Sequence, residues 1–278
     1  MNCNSVNSNI SSPIKRSFIR AFLGQEYYIF KRKINWLRSK NNWSSTRKET
    51  LLAHLHFEHK SKVLRQLQGV DMTLQENKRT NLGLAIEHLN QVVIEPGETF
   101  SLWKLVGRPT KRKGYLTGLV LKQGTVSEGI GGGLCQLGNL LFWIIAHSSL
   151  EITERHRHGF DVFPDVNRKV PFGAGATLSY NHIDFQFTNS TTQTFQIQLF
   201  LDDTHLNGRL LSSAPKQDEH RVEERNHLMK QQYWGGYSRH NQIVKISTNS
   251  KGQSTETLLV ENHAIMMYNP IIPEKSSV

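Results

Sequence analysis

The chain has few cysteines, no long apolar run and no internal repeat, and each absence excludes a class of protein. Only two cysteines, Cys3 and Cys135, occur in 278 residues. That is too few for a disulfide framework, so each thiol stands alone. The longest unbroken apolar stretch, Leu140 to Ala146, falls far short of the ~20 residues that a membrane-spanning helix needs. The opening residues, rich in Asn and Ser, lack the apolar centre and the small-residue cleavage site of a secretory signal. The expectation is a soluble, cytoplasmic protein in a reducing compartment, and Cys3 carries little information.

Acidic residues are scarce at one end only. Residues 1 to 65 hold thirteen Lys or Arg against three acids, so nearly all of the formal charge of +11 belongs to that end. The remainder is close to neutral, and no nucleic-acid recognition motif accompanies the basic segment, so nucleic acid is not an expected partner. Within residues 14 to 38 the apolar positions Phe18, Ile19, Phe22, Leu23, Tyr27, Ile29, Phe30, Ile34 and Leu37 recur every three to four places between basic ones. This is the pattern of a basic amphipathic helix, which either lies on an anionic membrane surface, on the inner face of the membrane, or packs on the domain with its lysines solvated.

The rest of the pattern predicts an α+β fold, with N-terminal helices followed by a mainly antiparallel sheet packed around one central helix that starts near Cys135. A second helix is expected over residues 47–67 and a third from Thr73 or Gln75 to about Leu89. Pro96-Gly97 sets a type II turn. Strands are expected at 91–94, 115–122, 181–188, 194–202, 242–248 and 255–260. The expected organisation is a basic arm over 1–45, a domain over 46–210, and a β-rich extension of that domain over 211–278.

The most informative stretch is Gly129-Ile-Gly-Gly-Gly-Leu-Cys135-Gln136 ahead of the apolar run. Consecutive glycines permit a tight turn and a close backbone approach, and they deliver Cys135 to a helix N-terminus, where unpaired N–H groups and the helix dipole favour a thiolate. Downstream, Glu154-Arg-His156-Arg-His158 places two histidines on one side of an extended segment, with Arg155 and Arg157 on the other. A thiol and an imidazole so arranged suit nucleophilic catalysis; a buried structural cysteine and a surface ion-pair cluster are the alternatives. Zinc held by Cys135, His156 and His158 lacks a recognised ligand spacing, so neither metal nor cofactor is expected. His54, His56, Glu58 and His59 are expected on a polar helix surface, with His54 and Glu58 sharing a face.

The set Pro96-Gly-Glu-Thr-Phe-Ser101, Lys113-Gly-Tyr115, Gly129-Ile-Gly-Gly-Gly-Leu-Cys-Gln-Leu137, Glu154-Arg-His-Arg-His158 and Asp184-Phe-Gln-Phe-Thr-Asn189 resembles the VanW family, first named from vancomycin-resistance gene clusters. The resemblance implies a role in peptidoglycan metabolism. Some members have been assigned cysteine L,D-transpeptidase activity, which would make Cys135 the nucleophile and His158 its base or orienting partner. The expected substrate-binding set is Gly131, Gly132, Gly133, Gln136, Arg155 and His156, facing a peptidoglycan peptide or precursor. Exported relatives carry an acid where this chain has Gly175, so a third catalytic group would come from Asp184, Asp161 or Asp165, with Asp184 foremost. A non-catalytic accessory that binds a precursor or a partner enzyme is the alternative.

Overall fold

The computed structural model describes residues 17–64, 72–122, 124–162, 170–180 and 183–270. In chain order these form α1 (Phe18–Arg38), β1 (Asn42–Trp43), β2 (His54–Lys62), α2 (Met72–Leu89), β3 (Val93–Ile94), β4 (Glu98–Ser101), α3 (Leu102–Val106), β5 (Thr117–Lys122), β6 (Thr125–Ile130) and α4 (Cys135–Ala146). They continue with β7 (Glu151–Glu154), β8 (Phe160–Asp161), β9 (Gln186–Thr188), β10 (Phe195–Leu201), β11 (His205–Ser212), β12 (Glu219–Gln231), β13 (Tyr237–Thr248) and β14 (Ser254–Met266). The fold is α+β. No helix of the described residues is long and apolar enough to cross a membrane.

Three four-stranded sheets run in the orders β1-β4-β9-β7, β2-β11-β10-β3 and β12-β13-β14-β8, and β5 and β6 pair as a separate hairpin. Pairing is antiparallel except for β1 with β4 and β14 with β8. The central helix α4 is apolar almost all round, as a core helix must be. It buries Leu137, Leu140, Leu141, Phe142, Ile144 and Ile145 and packs on β2 and β11. Gly208 of β11 lets it approach: a Cβ there would lie 2.6 Å from Ile144 Cδ1 and 2.8 Å from Leu140 Cδ2. The helix α2 covers β10 and the β5 end of the hairpin.

Several expectations need correction. The helix foreseen over 47–67 is instead β2 in its central part, and residues 65–67 lie outside the described residues. The alternation Leu55, Phe57, His59 has a period of two, and pairing along the whole of β11 overrides a merely neutral helix propensity. His54 and Glu58 therefore share no helical face. Two residues of β2 oppose one step of β11 between Leu210 and Leu211, so a bulge falls at His56 and turns its ring inward, where the residue is only 2% exposed. The strand expected over 181–188 is formed only at Gln186–Thr188, with 181 and 182 outside the described residues. The turn at Pro96-Gly97 is as expected, with Gly97 at φ 79° and the Glu98 N–H donating to the Glu95 carbonyl at 3.0 Å.

The amphipathic helix α1 is capped by the Ser17 side chain, which accepts from the Arg20 N–H. One side of it is fixed to the body: Arg32 makes a two-pronged ion pair with Glu154 at 2.6 and 2.7 Å, Glu26 meets Arg108 at 2.8 Å, and Ile29 is buried. β1 then joins the first sheet beside β4.

Candidate functional site

The site is built where four chain segments meet the N-terminus of α4. The glycine turn before it is shaped by close packing. Gly131 and Gly133 have φ of 75° and 92°, in the region that favours glycine. A Cβ on Gly132 would lie 2.1 Å from the Gly118 carbonyl carbon of β5. The turn's own N–H groups are already engaged: Gly131 donates to the Leu116 carbonyl, Gly132 to Gly129 and Gly133 to Leu119. From α2, the buried Asn81 donates to the carbonyls of Leu116 and Gly132 and accepts from the Leu116 N–H. The three glycines are thus committed to holding the turn, and the expectation that they receive substrate is corrected to that extent.

Cys135 is the first residue of α4, as expected, and its thiol donates to the Leu178 carbonyl at 3.6 Å. Burial pushes its pKa up. Backbone hydrogen bonds at Leu178 and at Cys135 itself oppose the rise without cancelling it. The expected thiolate is not the resting state here. A helix N-terminus contributes about 0.3–1 kcal/mol to a nearby anion, whereas desolvating an unpaired charge costs several, so burial prevails.

The segment 173–178 is the frame that relates the thiol to the histidines. Its Thr177 N–H donates to the His156 carbonyl at 2.8 Å, and the Thr177 hydroxyl accepts from the His158 N–H at 3.0 Å. One residue later, Leu178 receives the Cys135 thiol. On the α4 side Asn139 Oδ1 accepts the Ala176 N–H at 3.0 Å. Cys135 and His158 therefore flank two consecutive residues of one strap, yet among the described residues no hydrogen bond joins them. His158 Nε2 is buried with no partner, and burial, then the Arg157 charge, pushes the ring's pKa down.

The other expected site residues are placed as follows. Arg155 donates to the carbonyls of Gly175 and Gly173 at 2.8 and 2.6 Å and lies over the Phe142 ring, and burial pulls its pKa down to about 10. It clamps the strap. Gln136 is turned away to β2, where its amide donates to Ser61 Oγ at 2.7 Å and the Lys62 carbonyl at 2.9 Å. His156 is exposed and lies 3.2 Å from Glu154 Oε1, the carboxylate that also holds Arg32 of α1. These contacts make Arg155 and Gln136 structural braces in the resting protein and leave His156 open to solvent.

Asp184 does not complete a triad. It is fully buried and accepts from Ser101 Oγ at 2.6 Å, the Trp103 N–H at 3.0 Å, the Phe185 N–H at 2.8 Å and Gln186 Nε2 at 3.0 Å, none of them a histidine. Burial raises its pKa and these bonds oppose the rise. It caps α3 and ties it to β9. Asp161 pairs instead with Arg239 and Tyr268, and Asp165 lies outside the described residues. Among the described residues no three His, Cys, Asp or Glu side chains form a group suited to a metal ion.

Sequence reasoning passed over Asn139 and Leu178. Of these only Asn139 leaves a signal, as the polar interruption in an otherwise apolar helix. Its carboxamide occupies the space beside Gly175: a Cβ there would fall 2.2 Å from Asn139 Oδ1. The position at which an acid was looked for is thus filled from α4.

Comparison with known proteins agrees with the motifs. A family model described as VanW like protein matches residues 77–211. The chain is 38% identical over 180 residues to the vancomycin B-type resistance protein VanW of Enterococcus faecalis, covering 65% of this chain and 66% of that protein. It is 32% identical over 151 residues to the uncharacterized protein YoaR of Bacillus subtilis, covering 53% and 46% respectively. The chain spans at most about two thirds of the length of these relatives, and no solved structure matches it. The matched residues 77–211 run from α2 through the glycine turn, Cys135, the histidine segment and the strap to β11, and the chain belongs to the VanW family.

Proposed function

We propose that this chain acts in peptidoglycan metabolism associated with vancomycin resistance, and that Cys135 and His158 are the reacting pair of a cysteine-dependent acyl transfer on a wall peptide. The observation that carries the reading is the strap: Thr177 holds the backbone of His158 and Leu178 receives the thiol of Cys135, at the start of a helix within a glycine turn. His158 Nε2, unpartnered at rest, is the base. In the reaction the thiol leaves the Leu178 carbonyl and gives its proton to His158, and the sulfur forms a bond to a peptide carbonyl carbon. The C–N bond of that peptide then breaks, the departing amine takes the proton from the imidazolium, and a thioester remains. An acceptor amine attacks the thioester, and the thiol is restored. With the N–H groups of the glycines, Gln136 and Leu137 engaged, the oxyanion falls to the N–H of Cys135 at the start of α4.

A second reading, a non-catalytic accessory that binds a wall precursor or a partner enzyme at the same place, is favoured by the raised thiol pKa and by the absence, among the described residues, of a carboxylate bonded to the His158 ring. One experiment separates them. Cys3→Ser protein is incubated with a peptidoglycan stem peptide and its intact mass is recorded. Acyl transfer gives an adduct of the peptide less its leaving amine, lost in Cys135→Ser and slowed by about a hundredfold or more in His158→Ala. Binding of the peptide without any adduct would establish the accessory reading.

A further inference from the structure

The face of α1 turned away from the body carries a continuous stripe of exposed apolar residues. Ile19, Leu23, Tyr27, Phe30, Ile34 and Leu37 follow one another at spacings of four, four, three, four and three, which sets them in one stripe along 21 residues of helix. Five of the six are between 60% and 84% exposed, and only Ile34 is partly covered. Exposed single apolar residues are commonplace, but a continuous stripe along one helix implies a partner.

The opposite side of the same helix is accounted for. Arg32, across the helix from the stripe, is held by Glu154; Ile29, about a quarter turn from it, is buried; and Glu26, on the stripe's margin, is held by Arg108. The stripe is therefore a second apolar face, separate from the one that docks the helix.

The charges beside it choose the occupant. Arg20, Lys31, Lys33, Arg38 and Lys40 are all exposed, and the single acid of the helix, Glu26, is turned to Arg108. A second copy of this helix would bring like charges together along the seam, where paired helices ordinarily place opposite ones. An anionic lipid surface supplies the complement: acyl chains for the stripe and headgroup phosphates for the flanking cations.

We infer that α1 docks this protein on anionic bilayers through the stripe from Ile19 to Leu37 and its basic margins. Across the helix from the stripe Arg32 holds Glu154, which lies 3.2 Å from His156, so this end of the histidine segment is held about one helix diameter, 10–12 Å, from the lipid surface.

The test is flotation of the full chain with vesicles of phosphatidylglycerol and phosphatidylcholine, and with phosphatidylcholine alone. Binding to the anionic vesicles only, weakened by salt, is expected. Leu23→Glu with Phe30→Glu, and separately Lys31→Glu with Arg38→Glu, should each reduce it by about tenfold or more while circular dichroism and the thermal midpoint stay unchanged. Should the first pair unfold the protein, the second pair, which touches no apolar contact, still decides the matter. No vesicle binding, equal binding to both lipids, or binding indifferent to the folded variants would overturn the inference. So would a concentration-dependent dimer abolished by Leu23→Glu with Phe30→Glu in a protein that ignores vesicles, since that result assigns the stripe to a second copy.

Discussion

The two ends of α4 carry similar chemistry and differ in one atom. At the N-terminal end His158 is half-buried, its pKa lowered, its Nε2 without a partner, and the Cys135 thiol shares its strap. At the C-terminal end His147 stacks on Phe57 at 4.2 Å, His56 packs edge-on against Phe195 with both ring nitrogens unpartnered, and His220 bridges Ser149 and Ser247. Burial, then the charge of Lys216, holds His56 at about 4; burial, then Lys245, does the same to His220. A perturbed histidine with an empty nitrogen therefore does not mark a reactive centre in this fold. The histidines of the far end are neutral rings within a packed layer. What sets the near end apart is the sulfur, delivered by a turn that only glycine can make.

That distinction is most easily broken at the turn. Gly132→Ala would force a Cβ into the backbone of Gly118, at 2.1 Å from its carbonyl carbon, and neither the bonded turn nor the backbone of β5 can readily yield. A loss of about 3 kcal/mol or more in unfolding free energy is expected. Denaturant titration should show it, together with loss of any stem-peptide adduct. A variant as stable as the parent would mean that the glycines are kept for substrate and not for the approach of β5.

The far end responds to pH. His56 and His220 stay neutral in the folded chain down to about pH 4, whereas in the unfolded chain they take up protons near 6.5. A depressed folded pKa gives stability that is complete above pH 6.5 and lost as pH falls toward 4. The loss for the pair should be on the order of 2 kcal/mol after allowance for partial hydration. Replacing His56 by Phe should remove its share of this dependence and relieve two unsatisfied ring nitrogens. The thermal midpoint of the variant should therefore fall less between pH 7.5 and 5 than that of the parent. An equal fall would show that His56 is hydrated or paired in solution.

These contrasts mark how far the sequence could be followed. The glycine turn, the start of α4 at Cys135, α2 and the alternating strand at β10 are local patterns, and they stand where their residues predicted. β2 was hidden because its defining partner is distant: Phe57 pairs with Leu210, and nothing near residue 57 specifies that ladder. Asp184 looked catalytic on its motif, but Ser101 and Trp103, more than 80 residues earlier, claim it. The covering of the half-buried Cys135 depends likewise on Leu178, which arrives from 43 residues downstream. Spacing reveals which groups a turn presents. It does not reveal what the returning chain lays over them.

The smallest expected effect asks the sharpest question, whether a missing acid keeps the near end quiet. Gly175 has no positive φ that would bar a side chain, but its neighbour Asn139 takes the room, with Oδ1 2.2 Å from where a Cβ would stand. Gly175→Asp alone should therefore be destabilising. With Asn139→Ala the space opens, at a cost of about 1 kcal/mol for the unpaired Ala176 N–H. In the double variant a carboxylate stands beside the strap that holds His158. A carboxylate there favours the imidazolium and orients the ring toward the sulfur. Alkylation of Cys135, followed in a Cys3→Ser background, should then shift to lower pH than in the parent, where burial holds the thiol protonated. The shift should vanish on His158→Ala. If the double variant folds and alkylates with the parent's pH profile, the acid at 175 is not what the sulfur lacks. The half-buried thiol, bonded to Leu178, would then be a structural member of the strap, and the two ends of α4 would be alike after all.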